Sequence, residues 1–440
     1  MRVAWRTDDL ADVLDGKSAC EIPVDTTMGT DYLEFISDHI DSWETKLRPL
    51  NLKIHDNPEL CYEEFIAHEA FVKFLKGCPG WKVTPSAYGI KTAFIAEYDS
   101  GKPGPVVSFN AEYDALIGIG HACGHNLISI ASLSAALATK AVMKEYGLAG
   151  KVVLFGTPAE EGGGGKIKLL DVGAYRDHGV DVSIMGHPGN VKDAALVSTS
   201  AYYRFKAEYF GKEAHAAAAP CKFYFSITQI KKLTEINALD ALVMAYTGLS
   251  VLRQQTKPGD IIQGHITDGG AAPNIIHAYS AGTFIVRAQT KARLSELKKK
   301  VEACFRAGAE ATGSTLKMTS EGSYDDHTPN HALARSYRHF RNRLGGDIPP
   351  PDIDIVEGRS GASTDQGNIS YAYPSLHSGF HIISEAGAHN PGFTKSARSE
   401  DAHRRALTTG KALAATATEV LTRKGYLEEI KAEFAKLPKS

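Results

Sequence analysis

In His121-Ala122-Cys123-Gly124-His125-Asn126 a thiol and an imidazole stand two residues apart with a glycine between them. At that spacing both can turn toward one metal ion. Cys sulfur and His nitrogen are borderline-soft donors that suit zinc without excluding other transition metals. Alone, the segment reads better as a buried cysteine near two surface histidines. Three further Gly- or Pro-marked loops shift the balance: Thr157-Pro158-Ala159-Glu160-Glu161, Met185-Gly186-His187-Pro188-Gly189 and Gly387-Ala388-His389-Asn390-Pro391. Neighbouring side chains of an extended segment face opposite sides, so one carboxylate of Glu160-Glu161 can bind a cation while the other faces a substrate. A carboxylate beside a metal-bound water is placed to take its proton and pass it to a leaving amine. Taken singly, Glu-Glu is a solvated turn and His187 or His389 a structural histidine. Together, Cys123, His125, Glu161, His187 and His389 are donors enough for two ions if a carboxylate or water bridges them. Gly162 to Gly165 with Lys166 do not form a phosphate loop: Glu160 stands where the first glycine belongs, and Ile167 replaces Ser/Thr.

These loops need elements to hold them. The apolar run Leu127 to Ala138 reads as a helix that follows the Cys/His loop. Leu33, Ile36, Ile40, Trp43 and Leu47 recur at helical spacing, and a second helix is expected over 63–75. Runs at 92–96, 106–109, 151–155 and 181–185 are short, apolar and rich in β-branched or aromatic residues, as strands are. Strands alternating with helices predict an α/β sheet, and the site residues follow the strands at 151–155 and 181–185, where such sheets bind ligands. After about Val197 the pattern changes. Strand-like alternation at 202–209, 259–267 and 278–288 encloses amphipathic helices at 237–253 and 291–311, an α+β unit inserted in the first domain. A helix near 332–343, a Gly-rich loop at 358–367 and a final helix from about Ser399 complete that domain. The expected parts are 1–197, 198–320 and 321–440.

A chain of 440 residues is too long for one ordinary core. Its net charge of -2 offers no electrostatic case for nucleic acid or an anionic membrane, and no run of 18 apolar residues predicts a span. The first residues lack the apolar core of a secretory signal, and the chain up to about Thr30 has no strong period. Six scattered cysteines read as free thiols in a reducing compartment, so a cytoplasmic location is expected.

The sequence resembles the M20 metallopeptidases, in the branch of amidohydrolases that includes aminobenzoyl-glutamate hydrolases, auxin-conjugate hydrolases and β-alanyl-lysine type dipeptidases. The matching segments run in the family's order. They are Ile54-His55-Asp56-Asn57-Pro58-Glu59-Leu60, Ala111-Glu112-Tyr113-Asp114-Ala115-Leu116, His121 to Asn126, Pro158 to Gly162, Gly211 to Ala216, Gly270-Ala271-Ala272-Pro273-Asn274 and Ser363-Thr364-Asp365-Gln366-Gly367-Asn368. The resemblance implies a mixed-sheet α/β catalytic domain with helices on both faces and an inserted lid and dimerisation domain. It implies Glu160 as general base and Cys123, His125, Glu161, His187 and His389 as ligands of two divalent ions, zinc first, manganese or cobalt also compatible. His215 and Asn274 take the positions of lid residues that reach the active site, often from the other protomer, and there steady an oxyanion. Arg287 is a weaker candidate for holding a substrate carboxylate; a surface ion pair fits it about as well.

The expected activity is hydrolysis of the amide of a dipeptide or N-acyl amino acid through a metal-bound hydroxide, in a homodimer joined through the lid. Rivals are an amide-forming relative using the same site in biosynthesis, and an idle scaffold or binding protein, which the intact Glu160 and ligand set oppose. The chain departs from the family twice. Ile117 stands where many relatives have proline. Residues 221–234 interrupt a stretch that is continuous in relatives, and their bias to Lys, Phe, Tyr and Ile fits a translated intron better than a loop reshaping the lid cleft or dimer edge.

Overall fold

The computed structural model describes residues 31–216 and 235–437. The N-terminal stretch up to Thr30 and the insertion at 221–234 lie outside the described residues. Before the lid come β1 (Lys82–Pro85), β2 (Phe94–Asp99), β3 (Val106–Glu112), β4 (Lys151–Thr157) and β5 (Val182–Gly189). Within the lid are β6 (Ala201–Phe210), β7 (Ala214–His215), β8 (Ile261–Asp268), β9 (Ile275–Ile276), β10 (Tyr279–Ala288) and β11 (Thr315–Tyr324), and β12 (Ser375–His381) follows it.

The catalytic sheet runs β1-β2-β4-β3-β5-β12. β4, β3, β5 and β12 are parallel, while β1 and β2 join antiparallel, so the sheet is mixed as expected. Alternation along β4 shows how it is covered. Val152 and Leu154 enter the larger core, under the helices Leu33–His55, His125–Glu145 and Glu400–Thr422. Val153 and Phe155 point the other way, to a smaller core with Leu169, Tyr175 and Ile369. A strand buried on both faces loses the polar/apolar alternation and reads as a continuous apolar run, which is why β4 was legible. β12 was not anticipated, because Ser375-Leu376-His377-Ser378-Gly379-Phe380-His381 is mostly polar or small; it pairs with β5 throughout. The helix His125–Glu145 has the length and mean hydropathy of a membrane span, but 89% of that window is buried in the protein. It is the central core helix.

The lid is a four-stranded antiparallel sheet, β11-β6-β10-β8, with a separate ribbon of β7 and β9. Helices Ala238–Leu252 and Lys291–Thr312 bury Leu242, Leu249, Leu297, Val301 and Phe305 against Phe205 and Phe284 of its sheet. β11 pairs with β6 up to Tyr324, whose partner is Tyr202.

Candidate metal centre

The carboxyl ends of the parallel strands gather the predicted donors. β3 ends in Glu112 and runs on to Asp114; β4 leads into Pro158-Ala159-Glu160-Glu161; β5 carries His187. Cys123 and His125 sit where the central helix begins. Gly124 allows that start with φ +78°, and a Cβ there would stand 2.6 Å from Pro188 Cγ. His389 adopts φ +63° and donates its amide to the Ala122 carbonyl, which brings the last loop onto the Cys/His loop. Ala159, just before the acidic pair, also has a positive φ of +58°. Left-handed backbone at a residue with a side chain is strained and is held by its surroundings. Here the Ala159 amide donates to Glu64 Oε1 at 2.9 Å. A Cβ on Gly165 would meet the Pro158 carbonyl at 1.8 Å, so that glycine closes the turn.

The five expected ligands converge. Donor atoms of Cys123, His125 and His187 lie within 4.8 Å of one another, as do those of Cys123, Glu161 and His389, and of His125, Glu160 and Glu161. Cys123 Sγ is 3.3 Å from His187 Nε2, His125 Nε2 is 3.7 Å from Glu161 Oε1, and His389 Nε2 is 3.5 Å from the same oxygen. Orientation comes from Asp114. Its Oδ1 accepts from His125 Nδ1 at 2.9 Å, and its Oδ2 from the Glu161 amide at 2.9 Å. With Nδ1 committed, Nε2 of His125 faces the cluster, buried and without a hydrogen-bond partner; Glu161 Oε1 is likewise unpartnered. Orphaned donors of these types, turned toward one another, fit divalent cations.

Charge follows the geometry. Burial pushes the Glu160 carboxyl well up, and the carboxylates of Glu112 and Glu161 push it further. Burial also pushes Glu161 up, but His389 and His125 outweigh it and hold that carboxylate below its ordinary range. Burial opposes charge on His125, yet Asp114 and Cys123 raise it well above an ordinary imidazole. Burial pushes the Cys123 thiol up, with Glu161 adding to it. The cluster thus holds protons that bound cations would displace.

A second acidic group, Glu112, Glu160 and Asp365, lies beside the first. It already contains a cation: Lys166 Nζ stands 2.5 Å from both Glu112 and Asp365, with all three side chains buried. The ammonium fills the place of a metal there. Glu112, Asp114, Lys166 and Asp365 had no assigned role from the sequence. Two carboxylates two apart at the end of a buried strand were the available signal for the first pair.

Three predicted residues lie in or beside the lid. His215 pairs with Ile275 on the β7–β9 ribbon, and the Ala216 amide donates to the Asn274 carbonyl. That brings His215 and Asn274 side by side, both exposed, outside the donor cluster. Arg287 is half-buried. Its Nη1 donates to Ser363 Oγ at 2.7 Å, and its guanidinium lies 4.9 Å over the Tyr202 ring. Ile117 is 82% exposed in the turn before the Cys/His loop.

Residues 103–401 match the profile of peptidase family M20/M25/M40. The chain belongs to that family. It is an M20 metallo-amidohydrolase. Over 409 residues this M20 chain is 40% identical to the Xaa-Arg dipeptidase of Mus musculus, covering 90% of this chain and 91% of the relative. It is 29% identical to a polypeptide of the p-aminobenzoyl-glutamate hydrolase of Escherichia coli K12, over 71% of this chain and 65% of that one. Its fold is similar to that of a dinuclear metal-binding M20 peptidase of Bacillus subtilis, with TM-score 0.64 and 18% identity over 87% of this chain and 99% of the other.

Proposed function

We propose that this metal-dependent hydrolase of dipeptides or N-acyl amino acids prefers dipeptides with a cationic C-terminal residue, and that Glu160 is its general base. Cys123, His125, Glu161, His187 and His389 would hold two divalent ions, zinc before manganese or cobalt. The observation that carries the reading is the convergence of those donors in one buried cluster with Glu160 beside it. Held there, two cations would polarise a scissile carbonyl and lower the pKa of water. Glu160 takes the proton of the attacking water and hands it to the leaving amine. His215 and Asn274 are assigned to the oxyanion, a contribution of roughly 3–4 kcal/mol per donor in a dry site. Arg287 is assigned to a substrate carboxylate.

The similarity to the Xaa-Arg dipeptidase supports the cationic substrate. A homodimer through the lid is supported by β8, an edge strand, and by exposed Val243, Met244, Val251 and Ile266 on the lid surface. Free thiols at Cys61, Cys78, Cys123 and Cys304 support a reducing, cytoplasmic setting.

The test is turnover of a dipeptide panel ending in Arg, Lys, Ala or Glu, together with N-acyl amino acids, by enzyme loaded with zinc, manganese or cobalt. Arg and Lys substrates are expected to be fastest. Equal rates across the panel would remove the substrate preference, and undiminished turnover by Glu160→Gln would remove the base.

A further inference from the structure

Tyr324, the last residue of lid strand β11, is buried. Its hydroxyl leaves the lid and enters the loop that carries the acidic pair. It donates to the Glu160 carbonyl at 2.7 Å and accepts from the Gly164 amide at 3.1 Å. One phenol therefore ties the Glu160 backbone to Gly164 in the glycine run. This loop has no regular structure of its own, and it contains backbone at φ +58° (Ala159), +143° (Gly162) and +63° (Gly164). It is held from outside. Glu64 accepts the Ala159 amide, Asp114 accepts the Glu161 amide, and Tyr62 Oη donates to the Gly163 carbonyl at 2.5 Å. Of these four tethers, only Tyr324 comes from the lid.

The ring of Tyr324 is itself braced by the lid. Tyr202, its partner across β6 and β11, lies 5.7 Å away between centroids. Arg287 covers Tyr202 and donates to Ser363 Oγ, which donates to the Ser200 carbonyl at 2.7 Å. These contacts form one seam between lid and catalytic domain, with Tyr324 at the end nearest Glu160.

We propose that Tyr324 is a positioning residue that couples the seating of the lid to the placement of Glu160 and Glu161. It rests on Glu160 being the base, and it acts through the backbone, without touching substrate. A lid seated on the seam keeps the loop clamped. A lid that swings away from it lets the Glu160 carboxylate leave its reactive position, so proton transfer waits on the lid.

The experiment uses Tyr324→Phe in the full zinc-loaded chain, which removes one oxygen. The kcat is expected to fall about 10- to 100-fold, since small misplacements of a reacting group cost that much. KM and metal content stay close to wild type, as they do when an interaction matters only in the transition state. Deuterium exchange over residues 159–165 quickens while the rest of the catalytic domain is unchanged. Wild-type kcat with wild-type exchange overturns the proposal. So does a variant that loses metal with kcat per bound metal unaltered. If Tyr324→Phe does not fold, Tyr202→Leu removes the supporting ring instead: a fall in kcat with quickened exchange over residues 159–165 supports the clamp, and unchanged exchange there overturns it. Glu160→Gln, run alongside, separates the two readings. Full turnover there ends the base assignment, while loop exchange in Tyr324→Phe still reports on the clamp.

Discussion

Asp114 and His125 share a fully buried hydrogen bond, 2.9 Å from Oδ1 to Nδ1. The other oxygen of the same carboxylate holds the Glu161 amide. One side chain thus aims an imidazole and a carboxylate supplied by separate segments of the chain. Partners of this kind around a metal site are worth 10- to 100-fold in affinity. Asp114→Asn is accordingly expected to weaken zinc binding by about that factor while the protein stays folded. Competitive titration against a chromogenic chelator measures it; wild-type affinity would show that His125 and Glu161 are oriented by other contacts.

Glu160 lies in the cluster without being needed to complete the donor set. Glu160→Gln should therefore retain the full metal content and lose roughly 100- to 10,000-fold in kcat, the usual weight of a positioned acid–base group. Elemental analysis and steady-state kinetics on the same preparation give both numbers.

Lys166 pairs with both Glu112 and Asp365 where none of the three reaches water. Removing one partner of such a buried set strands the others. Lys166→Met is expected to destabilise the fold by about 3–5 kcal/mol, read from urea unfolding. A loss below about 1 kcal/mol would mean that Glu112 and Asp365 find protons or water instead.

Glu64 contributes to the pH dependence of stability. Burial pushes its carboxyl up to about 7. Its folded value lies above its unfolded value, so the folded state holds a proton that the unfolded chain has lost between those two points. Stability from this group is therefore full below about pH 4.5, declines as pH rises to 7, and is lower by about 3 kcal/mol beyond. Glu64→Gln keeps a carbonyl oxygen for the Tyr62 and Ala159 amides that Oε1 now accepts. It should lessen the fall in melting temperature between pH 5 and 8 and raise the melting temperature at pH 8. A wild-type profile in the variant would reject the assignment.

The legible parts of this protein were those with a local signature. β4, the central helix and the lid helices carry period or unbroken apolarity, and each formed close to its expected span. β11 and β12 were not seen. β11 is largely exposed and polar, and β12 is built of small and polar residues whose place is decided by pairing with β5.

The site divides in the same way. Residue type and loop setting pointed to Cys123, His125, Glu160, Glu161, His187 and His389, because a thiolate, imidazoles and carboxylates are the groups that bind such cations, and short glycine-marked loops at strand ends are where they gather. That they meet was decided only by the parallel order of β4, β3 and β5 and by the left-handed turn at His389. Asp114 as an orienting group, Lys166 as an internal counter-ion and Tyr324 as a tether from the lid likewise belong to the tertiary structure. Each acts on a partner distant in sequence, and a hydrogen bond or ion pair of that kind leaves no period or spacing along the chain for a reader to find.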